Sequence, residues 1–158
     1  MHFSKRIKLA AGLVAVAFVP TASSTPLSYG SYYEDPSSIA CGYVNFCRLN
    51  FGSTPVDKFV KLRHIHCNFN SSVPVGSASL SISATSGGSS LGRELPLQFF
   101  PSQPGTSAQS DGAYRYTVSM DTEFLIGQGR FPFLYFFTNA SGFASMTCII
   151  TGESLSPV

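Results

Sequence analysis

The chain has 158 residues, of which 44% are hydrophobic, 13% aromatic and only 11% charged, with Phe dominant and Trp absent. Its formal charge of +2 counts Lys5, Arg6 and Lys8; beyond residue 24, seven basic residues face eight acidic ones, a net −1 with no charge run. That balance argues against nucleic acid as a partner, and a composition so rich in Ser and Gly suits a β protein rather than a helical bundle.

The first residues read as an export signal. Lys5, Arg6 and Lys8 precede the apolar run LAAGLVAVAFV at 9–19, Pro20 breaks that run, and Ala22-Ser23-Ser24 offers a cleavage site. Cleavage is expected after Ser24, or else after Ala22. The run is shorter than the roughly 18–20 residues a spanning helix needs. No transmembrane segment is therefore expected once residues 1–24 are removed, and the protein is expected to be secreted or periplasmic. Residues 25–40, TPLSYGSYYEDPSSIA, show no periodicity and are expected to form a flexible N-terminal arm. The remaining 41–158 is expected to be a single domain.

From Cys41 onward, short strands alternate with turn chemistry. YVNFCRLNF (43–51) and DKFVKLRHIHCNFN (57–70) each end in Ser/Pro turns. ASLSISAT (78–85) alternates cleanly, with Ala78, Leu80, Ile82 and Ala84 expected inside and the serines wet. RELPLQFF (93–100) continues with Leu95, Leu97 and Phe99 on one side, and PSQPGTSAQSDG (101–112) is a long polar loop. AYRYTVSM (113–120) places Tyr114, Tyr116, Val118 and Met120 inside. TEFLI (122–126) and RFPFLYFFT (130–138), joined by Gly127-Gln128-Gly129, read as a hairpin. The nearly all-apolar Phe131–Phe137 run is expected to be covered on both faces, with Pro132 at its start. FASMTCIIT (143–151) closes the domain. The fold class is all-β: an antiparallel β-sandwich or jelly roll of seven or eight strands, with a closed barrel as the competing architecture.

Four cysteines, Cys41, Cys47, Cys67 and Cys148, admit three pairings. No CxxC spacing supports zinc, so two disulfides are expected. Cys67 in an early strand and Cys148 in the last suit a staple between sheets. Cys41–Cys47 then requires a turn near Gly42–Asn45, because an extended segment would hold the two too far apart.

His64 and His66 share a strand face and could both reach one metal ion. No third histidine lies beyond the signal segment, and nothing in the spacing of Asp57, Glu94, Asp121 or Glu123 completes a site. Val60 and Leu62 put even positions inside, whereas Ile65, Cys67 and Phe69 put odd positions inside. A bulge between Leu62 and Ile65 reconciles them and turns both histidines outward. No metal, no cofactor and no catalytic residue is expected. Asp121 and Glu123, also i and i+2, read as a solvated strand face rather than a glycosidase pair or calcium site. No G-x-S-x-G elbow, P-loop or G-x-G-x-x-G occurs. Asn70-Ser71-Ser72 and Asn139-Ala140-Ser141 match the N-glycosylation pattern.

Cys41 with Cys47, His64 to Cys67, Thr122 to Gly127 and Thr147 to Gly152 occur in an order that resembles small secreted β-sandwich proteins of soil- and plant-associated proteobacteria. That group carries no assigned activity, so the resemblance implies export and transfers no catalytic residue. The expected function is an exported, non-enzymatic binding or cell-surface module whose ligand or protein partner is unknown. The rival classes are a secreted hydrolase or metal-dependent enzyme using His64, His66 and nearby carboxylates, and a structural subunit associating through strand edges.

Overall fold

A computed structural model describes residues 25–99 and 112–157. Every regular element is a strand: β1 Leu27–Tyr29, β2 Tyr32–Asn50, β3 Phe59–Ser71, β4 Val75–Ser83, β5 Ser90–Pro96, β6 Tyr114–Ile126 and β7 Phe131–Leu155. All pairings are antiparallel, and the seven strands form one sheet with the path β1-β2-β7-β3-β6, from which β4 and β5 branch. The expected all-β class and both disulfides are present.

β7 organises the molecule. Over its 25 residues it pairs with β2 along one side. On the other side it pairs with β3 from Ala144 to Leu155 and with β4 from Phe131 to Thr138. The β3–β4 link crosses the gap between those stretches, with Ser72 N–H donating to Phe143 O and Asn139 N–H donating to Pro74 O. Register shifts in β2 between Cys41 and Phe46 fall at the same level, opposite Gly142. Two wings result, one built on β3 and β6 and the other on β4 and β5. Their inner faces share one core in a sandwich-like arrangement. Phe69 of β3 meets Phe136 from the far half of β7 edge-on at 5.4 Å, and Phe99 packs against Phe69 and Tyr116.

Several expectations are corrected. Residues 25–40 are not a loose arm: the sheet begins at Leu27, before the expected boundary at Cys41. Tyr32–Cys41 pairs with Ala144–Glu153, and Tyr33 and Asp35 are fully buried. Asp35 Oδ2 accepts the Gly52 N–H at 2.8 Å, and Tyr33 Oη donates to it at 3.4 Å. Strands 43–51 and 143–151 are parts of the longer β2 and β7. The 122–138 hairpin does not form, because β6 pairs with β3 and β7 lies on the opposite side of β3. Cys67 and Cys148 sit directly opposite each other on neighbouring strands, Cα atoms 4.1 Å apart, so this disulfide joins strands within the sheet rather than two sheets.

Local patterns fare better. Ala78, Leu80 and Ile82 are buried as expected, although Ala84 lies exposed beyond the strand end. Ser81 and Ser83 are not wet. Each is buried and donates to a carbonyl, Ser81 to Arg93 and Ser83 to Thr85 and Phe131. β5 ends at Pro96, though Leu97 is still buried. The signal segment 1–24 lies outside the described residues, as does the 101–112 loop up to Asp111.

Candidate functional site

Two outward faces carry functional groups, one on each wing. On the β3–β6 wing the expected bulge is present: both ladders of β3 shift register between Leu62 and His64. Leu62, Ile65 and Cys67 are buried, while His64 and His66 are turned outward. The shift sets His64 opposite Asp121 and His66 opposite Ser119. His64 Nδ1 lies 2.7 Å from Asp121 Oδ1, and His64 Nε2 lies 3.2 Å from Ser119 Oγ. A hydroxyl, an imidazole and a carboxylate are thus in line, an order that can relay a proton. Ser119 carries no signature in the sequence, because only the pairing of two distant strands brings it to His64.

The surroundings of this relay are open. The Asp121 side chain is 94% exposed, where a triad carboxylate is ordinarily shielded. Ser119 sits within a regular ladder rather than at a strained turn whose amides converge on one point. Glu123, read from the sequence as part of a solvated strand face with Asp121, is engaged by Lys61 at 3.0 Å and Arg63 at 2.6 Å, and Arg63 also bridges to Glu153. The Lys61 hydrogen bond, followed by the Lys61 and Arg63 charges, holds the Glu123 carboxyl below its ordinary value. Asp121 and Glu123 therefore serve separate partners. Among the described residues no three His, Cys, Asp or Glu side chains group in a way that could hold a metal ion.

The other face is aromatic. The Phe131–Phe137 run, expected to be covered on both faces, is covered only in part: Pro132, Leu134 and Phe136 are buried on one face and Phe133 on the other, while Tyr135 is half-buried and Phe137 exposed. Phe133, Tyr135 and Phe137 share the face of β7 opposite to Leu134 and Phe136, with Phe133 buried beneath Arg48. Across the strands they form rows: Phe46, Phe137 and Ser77; Arg48, Tyr135 and Ser79; Asn50, Phe133 and Ser81, with Glu94 of β5 completing the last. Ring centroids are 5.1 Å apart for Phe46 and Phe137, 5.7 Å for Tyr135 and Phe137, and 5.9 Å for Phe46 and Tyr135. Phe46 is 42% exposed and Phe137 45%, so the open rings lie at one end of the array.

The other end of the array is capped by Arg48. Its guanidinium lies 3.6 Å above the Phe133 ring, Nε donates to Asn50 Oδ1 and Nη1 to the Gly88 carbonyl. Nη2 is buried without a hydrogen-bond partner, and desolvation lowers the Arg48 pKa. Burial, and then a hydrogen bond to the Glu94 carboxylate, raises the Tyr135 hydroxyl, while a hydrogen bond from Ser79 partly offsets them. The Cys41–Cys47 disulfide, Cα atoms 6.0 Å apart, closes the loop from which Phe46 projects beside Tyr43 and Val44, all three exposed. Tyr43, Val44, Phe46 and Phe137 thus form the exposed apolar part of this face.

No family model matches the chain, and no curated protein matches it. Among solved structures it is similar to dimeric latent PorU from Porphyromonas gingivalis, at 9% identity and a TM-score of 0.47, over 86% of this chain and 14% of that one. This chain thus spans a small fraction of that protein's length.

Proposed function

We propose that the protein is an exported binding module and that the aromatic face of the β4–β5 wing is its binding surface. The observation that carries this reading is the Phe46–Tyr135–Phe137 array, held open on a rigid sheet and bordered by Ser77, Ser79 and Glu94. Export is supported by two disulfides with every described cysteine paired, and by the n-region, apolar run and cleavage pattern of residues 1–24. Mass spectrometry of the exported protein is expected to find Thr25 as the first residue; a soluble form retaining Met1 would end the export reading.

Isotopically labelled protein, titrated in turn with polysaccharide, lipid-vesicle and protein fractions of the producing cell's envelope, tests the face. At least one fraction should shift the resonances of Phe46, Tyr135 and Phe137. If all shifts centred elsewhere, or none occurred, the face would not be the binding surface.

The aligned Ser119, His64 and Asp121 favour a second reading, a secreted hydrolase with Ser119 as nucleophile and His64 as base. A fluorophosphonate probe discriminates. Under the binding reading Ser119 stays unlabelled; labelling of Ser119 that disappears in His64→Ala would support the hydrolase.

A further inference from the structure

We infer that the aromatic face takes a neutral saccharide, an assignment that rests on the binding-module reading above. A pyranose ring has an apolar C–H face and a rim of hydroxyls. It is matched by aromatic rings with hydrogen-bonding groups beside them, not by a purely apolar patch. This face has that composition. Phe46 and Phe137 supply open ring surface. Ser77 stands opposite Phe137 and Ser79 opposite Tyr135 on the neighbouring strand, and Glu94, one strand further in the adjoining Ser81 row, takes the Tyr135 hydroxyl hydrogen bond. From β2 to β5 the face crosses three interstrand spacings, roughly 14 Å, room for a short oligosaccharide laid across the strands.

Charge selects the neutral class. Glu94 is exposed, and its carboxylate would repel a uronate or phosphate at the hydroxyl-bearing border. The cation of this face, Arg48, is turned down onto Phe133 and held by Asn50 and the Gly88 carbonyl. A lipid surface would want exposed cations around the rings, and none of the border groups named above supplies one. A protein partner would be served by the same rings but would leave the serine and carboxylate border to be satisfied separately.

Titrating the full exported chain with hexamers of β-1,4-glucan, β-1,3-glucan, β-1,4-mannan and β-1,4-xylan tests the inference, with a galacturonate hexamer as the acidic control. Expected is a Kd tighter than about 1 mM for at least one neutral hexamer, with shifts confined to Phe46, Tyr135, Phe137 and their neighbours. Phe46→Ala and Phe137→Ala, both at exposed positions, should weaken binding at least roughly tenfold, a loss of about 1.4 kcal/mol or more. Tyr135→Phe, which keeps the ring and removes the hydroxyl, should weaken it several-fold. Binding of the galacturonate alone, or of no neutral hexamer, would overturn the saccharide assignment while leaving the face itself to the envelope-fraction titration. Hexamer binding whose shifts lie away from this face would overturn both readings.

Discussion

Gly152 stands opposite Leu62 where β3 bulges, and a side chain there has no room. A Cβ at residue 152 would run into the Lys61 carbonyl oxygen and come within 2.9 Å of Leu62 Cα, both backbone atoms that cannot swing away. Gly152→Ala is therefore expected to destabilise the fold by about 2–4 kcal/mol, read as a lower denaturation midpoint. Because the bulge sets the phase of His64 and His66, their resonances should shift as well. Asp35 is the second residue whose weight exceeds its appearance. Its carboxylate caps a backbone N–H in the interior, so Asp35→Ala should cost about 2–3 kcal/mol. Tyr33→Phe removes only the longer 3.4 Å hydrogen bond and should cost under about 1 kcal/mol. Chemical denaturation of the two variants side by side checks the contrast. At the surface, Glu123 has a folded-state pKa below its unfolded value, so the unfolded state binds more protons near that value. Its contribution is complete above the ordinary carboxylate pKa of 4.5 and is lost as pH falls through the lower folded value. Glu123→Gln should flatten that acid limb in Tm-versus-pH curves by lowering the neutral-pH plateau, and only slightly, since the carboxylate is open to water, while the acid end coincides with the parent.

Among the elements, β7 carries the largest consequences, because it is the shared partner of β2, β3 and β4. The Cys67–Cys148 disulfide ties β3 to it across a sequence separation of 81 residues. Closing a loop of that length removes about 4–5 kcal/mol of unfolded-chain entropy in the chain-entropy model. The double replacement Cys67→Ala/Cys148→Ala should lower global stability by a comparable amount. The Cys41–Cys47 bridge spans a separation of only 6 and should be worth about 2 kcal/mol. Its loss should show chiefly as mobility of Tyr43, Val44 and Phe46, and hence as weaker ligand binding. Thermal unfolding together with relaxation measurements on those residues separates the two roles. Much at this scale was legible beforehand: alternation at Ala78–Ile82 and Tyr114–Met120, the bulge in β3, and the disulfide partners. The N-terminal strand was not. Tyr33 and Asp35 alternate with Glu34 and Pro36, which gives no apolar period to read, and burial of that edge comes from pairing with residues more than a hundred positions away.

For the whole molecule, the long β2–β7 ribbon, paired with β4 along one half and with β3 along the other, underlies both the core and the two outward faces. The β3–β6 wing presents Ser119, His64 and Asp121, and the β4–β5 wing presents the aromatic array. Local composition and alternation were enough to establish the all-β class, because a strand's period of two and the chemistry of its turns are written in neighbouring residues. The even cysteine count likewise pointed, without any coordinates, to a disulfide-bonded chain. Partnership between strands was beyond the sequence. An apolar run such as Phe131–Phe137 reads the same whether one face or both are covered, and the expected hairpin with 122–126 was as consistent with its turn as the observed crossing to the far side of β3. Only the tertiary structure decided that Tyr135 and Phe137 lie beside Phe46 while Arg48 covers Phe133, and that Ser119 meets His64. Those neighbours are set by non-local hydrogen-bond ladders, whose register depends on packing the entire core at once.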